Sequence, residues 1–261
     1  MKRVQLAAIG WAGSGALVVL LVGVLAPAWW GIPLPASGWI AVVAYLAVSN
    51  ALLVRGLRRR GSERFGPANV VTSLRSCLVG LITGLVVASF TDPIPVALLV
   101  GLVIPALALD AVDGWVARRT GSTSELGARF DMEVDAFLLL VLGVYVAPAL
   151  GLWVIAIGAL RYAFVVAGGL LPWMRARLPY RYWRKVVTAY AGIALAVAAS
   201  GLLPGLDSLL VALALALLLE SFTRDTVWLA RHRHEAPAPP AAPPALPEPA
   251  EGHANALKTQ E

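Results

Sequence analysis

Long apolar runs dominate this sequence and decide what it can fold into. A helix needs roughly 20 apolar residues to cross the hydrocarbon core of a bilayer, and eight runs approach that length. Unpaired backbone groups are not tolerated in lipid, so such runs fold as helices rather than as open strands. We predict transmembrane helices over about 4–26, 38–54, 69–90, 95–117, 131–147, 151–171, 186–201 and 206–222.

The composition excludes other protein classes. Hydrophobic residues make up 59% of the 261 residues, and charged residues make up 14%. A soluble domain has about 45–50% apolar residues and about 25% charged residues. Intrinsic disorder requires low hydrophobicity, and the single cysteine, Cys77, excludes a disulfide framework or a thiolate metal cluster. The sequence therefore predicts an all-α protein, a polytopic membrane helix bundle with about eight transmembrane helices.

Basic residues fall at alternate ends of the predicted spans. Arg and Lys precede the first run and follow the second, fourth, sixth and eighth, whereas the other connecting loops contain none. Because basic loops stay in the cytoplasm, both termini are predicted to be cytoplasmic, in a protein integral to a bacterial cell membrane. The formal net charge of +6 thus reflects membrane anchoring, and no nucleic-acid partner is expected.

The two ends of the chain differ from the middle. The first run follows Lys2 and Arg3 and precedes an Ala-Pro-Ala sequence at 26–28, so it is either a retained helix or a cleaved signal peptide. Its length exceeds the usual 7–15-residue apolar core of a signal peptide, which favours a retained helix. The last segment is rich in Pro and Ala without apolar periodicity and is predicted to be a disordered cytoplasmic tail.

Four aspartates lie where lipid should exclude them. Asp110 and Asp113 end the fourth run, and Asp131 and Asp135 begin the fifth. A charge well inside the bilayer costs about 2.5–3.5 kcal/mol on insertion scales. Spacings of three and four residues place each pair on one helix face. Because the connecting loop is short, we expect the two helices to be antiparallel neighbours whose carboxylates converge.

Two interpretations of this acidic cluster are open. Mutual repulsion favours hard cations such as Mg²⁺, Mn²⁺ or Ca²⁺, which prefer oxygen ligands, and a pair of such ions commonly clamps a diphosphate. Gly114, Ala117 and Gly127 would let a ligand approach closely. Arg118 would then bind a phosphate oxygen. In the alternative, Arg118 and Arg119 neutralise the aspartates as a structural network, but two arginines do not balance four aspartates.

The segment that contains the four aspartates resembles the signature of a known enzyme family. It reads DAVDGWVARRTGSTSELGARFDMEVD and fits the pattern D-x2-D-G-x2-A-R-x8-G-x3-D-x3-D of the CDP-alcohol phosphotransferases, integral membrane enzymes of phospholipid synthesis. All fixed positions match without a gap: Asp110, Asp113, Gly114, Ala117, Arg118, Gly127, Asp131 and Asp135. Upstream, GPANVVTSLR is similar to the family's P-N-x-x-T-x-x-R segment, except that Ala68 separates Pro67 from Asn69.

The resemblance implies how the chain is organised. Members of the family have a six-helix catalytic core, which corresponds here to 65–230. Residues 1–64 would then form two extra transmembrane helices and a basic cytoplasmic loop, and 231–261 the tail. The extra helices would support a homodimer, which is common in the family, or shape a lateral gate.

The resemblance also implies the chemistry and the roles of individual residues. Such enzymes transfer a substituted phosphoryl group, here phosphatidyl from CDP-diacylglycerol, to a polar alcohol and release CMP. Two divalent ions, Mg²⁺ or Mn²⁺, would be held by four carboxylates, with Asp135 also acting as general base. The metal ligands would be Asp110, Asp113, Asp131 and Asp135. The CDP contacts would be Gly114, Ala117, Arg118, Gly127, Asn69, Thr72 and Arg75.

The acceptor alcohol is less constrained than the donor. Arg161 lies inside the sixth run, where a charged side chain faces the bundle interior by default, and it would either bind an anionic acceptor or neutralise the aspartates. Arg181 and Lys185, one helical turn apart, are further candidate acceptor contacts. A phosphorylated polyol such as glycerol 3-phosphate is favoured, although Tyr162 stands where an acidic residue is expected in enzymes of that specificity.

Other acceptors and other functions remain open at this level. Inositol phosphate, an amino alcohol or a second lipid would serve the same chemistry. A cation transporter would spread its charges through the membrane depth, whereas these aspartates concentrate near one surface. A non-catalytic scaffold would have no need of all four carboxylates.

Overall fold

The chain is all-helical throughout the part that the structure describes. This computed structural model covers residues 34–60, 67–120, 125–176, 178–179 and 181–233, with the backbone alone for 54, 56–60, 67–70, 111, 113–120, 125–126 and 175. The α-helices are α1 (Ala36–Arg60), α2 (Pro67–Ala88), α3 (Val96–Thr120), α4 (Glu125–Leu150), α5 (Ala156–Leu170), α6 (Tyr182–Ser200) and α7 (Leu206–Arg231), with 3-10 turns at Leu152–Ile155 and Pro172–Arg175. The predicted first span and the tail from 234 onward lie outside the described residues.

Five of the described helical segments are long and apolar enough to cross a membrane. They are Ala36–Leu53, Val71–Ala88, Gly127–Leu150, Leu152–Leu170 and Leu206–Arg231. A further described segment, Val96–Asp110 of α3, is apolar but shorter. The polytopic membrane helix bundle expected from the sequence is confirmed, while the total of eight crossings stays a prediction.

Helix α2 occupies the middle of the bundle. It packs against α1, α3 and α4, and α6 packs against α3, α4 and α7. The shared core consists of buried aliphatic side chains, among them Val79, Ile82, Leu99, Val103, Leu138, Leu142 and Leu195. The outward faces carry exposed aliphatic side chains such as Ile40, Ile104, Val166 and Leu209, as expected for a surface in contact with lipid.

The two helices that carry the aspartates share two neighbours. Among the described residues, α3 and α4 each pack against α2 on one side and α6 on the other. Their carboxylates converge as the sequence predicted, since oxygens of Asp110 and Asp131 lie within 4.8 Å of each other. Direct packing of α3 against α4 along their lengths stays a prediction.

Helix α1 lies very close to α2. A Cβ atom added to Gly38 would come within 2.8 Å of the Gly84 carbonyl oxygen, and one added to Gly84 would come within 2.9 Å of the Gly38 carbonyl oxygen. Small residues allow this approach of two backbones in a membrane bundle. The second predicted span is therefore packed directly onto α2 through this close backbone contact.

Candidate active site

Arg75 stands at the centre of the aspartate cluster. Its side chain is fully buried on α2, 0% exposed, and both terminal nitrogens face carboxylates. Nη1 lies 2.7 Å from an oxygen of Asp110 and 2.9 Å from one of Asp131, and Nη2 lies 2.5 Å from an oxygen of Asp135. Nη2 also donates to the backbone carbonyl of Asp131 at 3.3 Å. One guanidinium thus joins three helices.

The three carboxylates remain reachable from outside the bundle. The side chains of Asp110, Asp131 and Asp135 are 40%, 31% and 26% exposed, while Arg75 is buried behind them. Each offers a carboxylate oxygen, and these oxygens lie within 4.8 Å of one another. The three partly exposed carboxylates thus surround the buried guanidinium of Arg75 and are accessible to a ligand.

The donor set fits a hard divalent cation. Mg²⁺ and Mn²⁺ prefer oxygen ligands, and Mg²⁺–oxygen distances are about 2.0–2.1 Å, so oxygens within 4.8 Å of one another can share one ion. Three carboxylates carry more negative charge than one arginine neutralises, which leaves an attraction for a cation. The side chain of Asp113, the fourth predicted ligand, lies outside the described set, and its backbone is helical in α3.

The predicted nucleotide contacts fall partly within the described residues. Thr72 is buried on α2 one turn before Arg75, and Gly127 is half-buried on α4 one turn before Asp131. For the remaining predicted contacts only the helical backbone is described: Asn69 in α2 and Gly114, Ala117 and Arg118 in α3. Thr72 and Gly127 therefore share a helix with a residue of the cluster and lie one turn from it.

Arg161 is paired, but not with the aspartate cluster. Its Nη2 donates to a carboxylate oxygen of Glu133 at 2.8 Å, and Glu133 lies between Asp131 and Asp135 in the chain but on another face of α4. The pair joins α4 to α5, with Arg161 half-buried. The alternative in which Arg161 neutralises the aspartates is therefore not what the structure contains.

Arg181 and Lys185 lie at the start of α6 and differ in their surroundings. Arg181 and Arg184 are 3.9 and 3.5 Å from the two carboxylate oxygens of Asp225, which is buried on α7. Lys185 is exposed on α6, the helix that packs against both α3 and α4. Of the two residues predicted together, Arg181 is therefore engaged with α7, and Lys185 is left exposed on a helix next to those that carry the aspartates.

Sequence reasoning missed two features of the site. It assigned Arg75 to the nucleotide and considered only Arg118 with Arg119, or Arg161, as the cluster's counter-charge, although an arginine within the third apolar run was itself a signal that a buried acidic partner exists. It also missed the buried hydroxyls next to Arg75. Ser76 is hydrogen-bonded to Ser49 and to Tyr45 of α1, and neither serine was distinctive in the sequence.

The fold and the site together define a class of protein: a polytopic membrane helix bundle with a carboxylate site between α2, α3 and α4 that suits a divalent cation. The model of the CDP-alcohol phosphatidyltransferase family matches residues 65–220. The chain belongs to this family and is a transferase of substituted phosphate groups, acting on a CDP-linked alcohol, as the signature between Asp110 and Asp135 indicated. Neither the curated proteins nor the solved structures contain a significant match.

Proposed function

We propose that the protein transfers the phosphatidyl group of CDP-diacylglycerol to a polar alcohol and releases CMP. The observation that carries this proposal is the convergence of Asp110, Asp131 and Asp135 around Arg75 between α2, α3 and α4. The chain's family supplies the reaction type, and the membrane bundle favours a donor with acyl chains. A site near the cytoplasmic surface, where the basic loops are predicted to lie, would let those chains stay in lipid while the head group meets water-soluble reactants.

The proposed reaction forms one phosphorus–oxygen bond and breaks another. The acceptor hydroxyl oxygen attacks the phosphorus that carries diacylglycerol, and the bond from that phosphorus to the bridging oxygen of the diphosphate breaks. The electron pair of that bond leaves with CMP. Asp135 accepts the hydroxyl proton, a role that in other enzymes contributes about 10²- to 10⁴-fold to the rate.

Binding of the donor is proposed to use the whole signature. Asp110, Asp113, Asp131 and Asp135 would hold two Mg²⁺ or Mn²⁺ ions. When bound, these ions supply positive charge that offsets the diphosphate and the charge developing on the attacking oxygen. Arg118 would bind a phosphate oxygen, as guanidinium groups do well, whereas Arg75, buried behind the carboxylates, would hold those carboxylates in place. The cytidine would lie among Asn69, Thr72, Gly114, Ala117 and Gly127.

The acceptor is proposed to be a phosphorylated polyol such as glycerol 3-phosphate. Three basic residues would bind its phosphate: Arg161, Arg181 and Lys185. The buried Nε of Arg161 has no hydrogen-bond partner among the described residues, so it can donate to a phosphate oxygen. Lys185, exposed on a helix that packs against α4, would guide an anion toward the general base. The site is proposed to face the cytoplasm, following the distribution of basic loops.

The proposed reaction is tested by CMP release. We expect the purified full chain, in lipid nanodiscs with radiolabelled CDP-diacylglycerol and Mg²⁺ or Mn²⁺, to release CMP only when an acceptor is present. Removing the metal with EDTA should abolish release, and adding it back should restore it, because the carboxylates alone repel the diphosphate. Glycerol 3-phosphate, inositol phosphate, serine and phosphatidylglycerol would be compared as acceptors. No release with any of them would refute the function.

Arg161 should discriminate between acceptors. We expect Arg161→Gln to raise the KM for glycerol 3-phosphate by about 10- to 100-fold, because a hydrogen bond to a charged group is worth about 1.5–3 kcal/mol. The KM for CDP-diacylglycerol should change less than about twofold, since the donor does not use this contact. The matched control is Arg224→Gln, which removes an exposed arginine paired with Glu220 one turn away. An equal rise in KM for an uncharged acceptor would contradict a phosphate contact.

A further inference from the structure

We propose that α1, which lies outside the matched family segment, belongs to the catalytic unit, and that Tyr45 and Ser49 are positioning residues for Arg75. This inference rests on the proposed function for its catalytic meaning. The structural part of the inference is that α1 fixes the position of Arg75 among the carboxylates. This part rests only on the contacts of α1 with α2 and α4.

The first contact is a buried hydroxyl cluster beside Arg75. Ser76, the next residue on α2, is 4% exposed and Ser49 on α1 is 7% exposed. Their hydroxyl oxygens are 2.9 Å apart, and the Tyr45 hydroxyl is 3.2 Å from that of Ser76. Successive helix residues point about 100° apart. The side chain of Arg75 thus reaches the carboxylates while its neighbour is held by α1.

The second contact links α1 to the helix that carries two of the carboxylates. The ring of Tyr45 stacks on Phe137 of α4, with centroids 4.7 Å apart and planes at 24°. Phe137 follows Asp135 by two residues. Tyr45 therefore touches both α2, which carries Arg75, and α4, which carries Asp131 and Asp135.

The close packing of α1 explains why these contacts can fix a position. Gly38 and Gly84 bring the two backbones together, and the side chain of Val42 is fully buried at the same interface. That packing brings α1 close to α2 but is largely non-directional. The hydroxyl contacts to Ser76 are directional, so they fix the rotation and register of α2 and with them the place of the guanidinium.

The experiment compares pairs of variants that differ in one hydroxyl. Ser49→Val and Ser49→Thr have nearly the same size and shape, but only the threonine keeps the hydroxyl. Tyr45→Phe removes the second hydroxyl and keeps the ring against Phe137. The matched control is Val42→Ala, which weakens the packing near Gly84 without touching Ser76.

Two readouts on the full chain in nanodiscs separate positioning from folding. The first is the dissociation constant for Mn²⁺ without substrate, measured from the free-ion electron paramagnetic resonance signal. Ser49→Val and Tyr45→Phe should tighten Mn²⁺ binding about threefold, the worth of one interhelical hydrogen bond, because a loosened Arg75 competes less with the ion. The Mn²⁺ dissociation constants of Ser49→Thr and Val42→Ala should stay close to the wild-type value.

The second readout is kcat. We expect kcat to fall about tenfold only in Ser49→Val and Tyr45→Phe, since small displacements of a catalytic group are costly.

The outcomes distinguish this inference from the proposed function. If Ser49→Val and Ser49→Thr bind Mn²⁺ equally and Tyr45→Phe matches wild type, α1 does not position Arg75. If wild type releases no CMP but the Mn²⁺ differences are present, the proposed function fails while the positioning role stands. A loss of kcat in Val42→Ala as large as in Ser49→Val would reduce the effect to general packing and overturn the inference.

Discussion

Arg75→Gln is expected to lower the thermal midpoint of the protein by about 10 °C in EDTA, and excess Mn²⁺ is expected to restore most of the loss. Arg75 is fully buried and contacts Asp110, Asp131 and Asp135. Removing one partner of a buried ion-pair network costs about 3–5 kcal/mol, because the other charges are left uncompensated. For a chain of this size each kcal/mol shifts the midpoint by about 2–4 °C.

Restoration by metal is the specific part of this prediction. A divalent cation offers the carboxylates the positive charge that the glutamine lacks, so Mn²⁺ should raise the midpoint of Arg75→Gln more than that of wild type. Thermal unfolding of both proteins, with EDTA and with Mn²⁺, checks it. The control Arg224→Gln loses only an exposed pair with Glu220 and should shift the midpoint by no more than about 3 °C. Equal metal stabilisation of wild type and Arg75→Gln would contradict this role.

Asp135→Asn is expected to lower kcat by about 10³-fold while CMP still binds. The amide keeps the shape of the side chain but cannot accept the acceptor's proton, and general bases contribute about 10²- to 10⁴-fold. Asp135 is suited to this role because its carboxylate is partly exposed on the cluster's rim, 26%, where an acceptor can reach it. Single-turnover CMP release and equilibrium CMP binding separate chemistry from affinity.

The control for this variant is the same chemical change at a remote carboxylate. Asp92→Asn lies in the exposed turn between α2 and α3 and should leave kcat within about twofold of wild type, as surface substitutions usually do. Turnover by Asp135→Asn above a tenth of the wild-type value would remove the assigned general base. Loss of CMP binding together with turnover would instead assign Asp135 chiefly to ligand binding.

The helical bundle was predictable from the sequence because its signal is local. Each apolar run indicates a membrane helix within about 20 residues, so each of the seven described α-helices overlaps one predicted span. Helix ends were less predictable. Helix α7 continues to Arg231, nine residues past the predicted end at 222. Its last turns are more polar than a typical membrane span, and packing of side chains such as buried Leu229 stabilises them, which hydropathy alone does not predict.

The site was predictable in its residue types and less so in its geometry. Asp110, Asp131 and Asp135 converge as expected, because helical spacing places them on defined faces and the family signature fixes their identity. That Arg75 pairs with all three could not be read from spacing, since it depends on which helices pack around α2. The contact of Tyr45 with both Ser76 and Phe137 is likewise a property of packing between helices far apart in the chain.

The position of Arg75 also bears on how the protein is made. Chains emerge and fold from the N-terminus, so α2 is synthesised before α3 and α4. The buried arginine is therefore already present when Asp110, Asp131 and Asp135 arrive at the membrane, and it offers each a partner before any ion or nucleotide is bound. The order of charges along the chain therefore makes the positive member of the cluster available first, and we expect the acidic helices to pair with it as they are added.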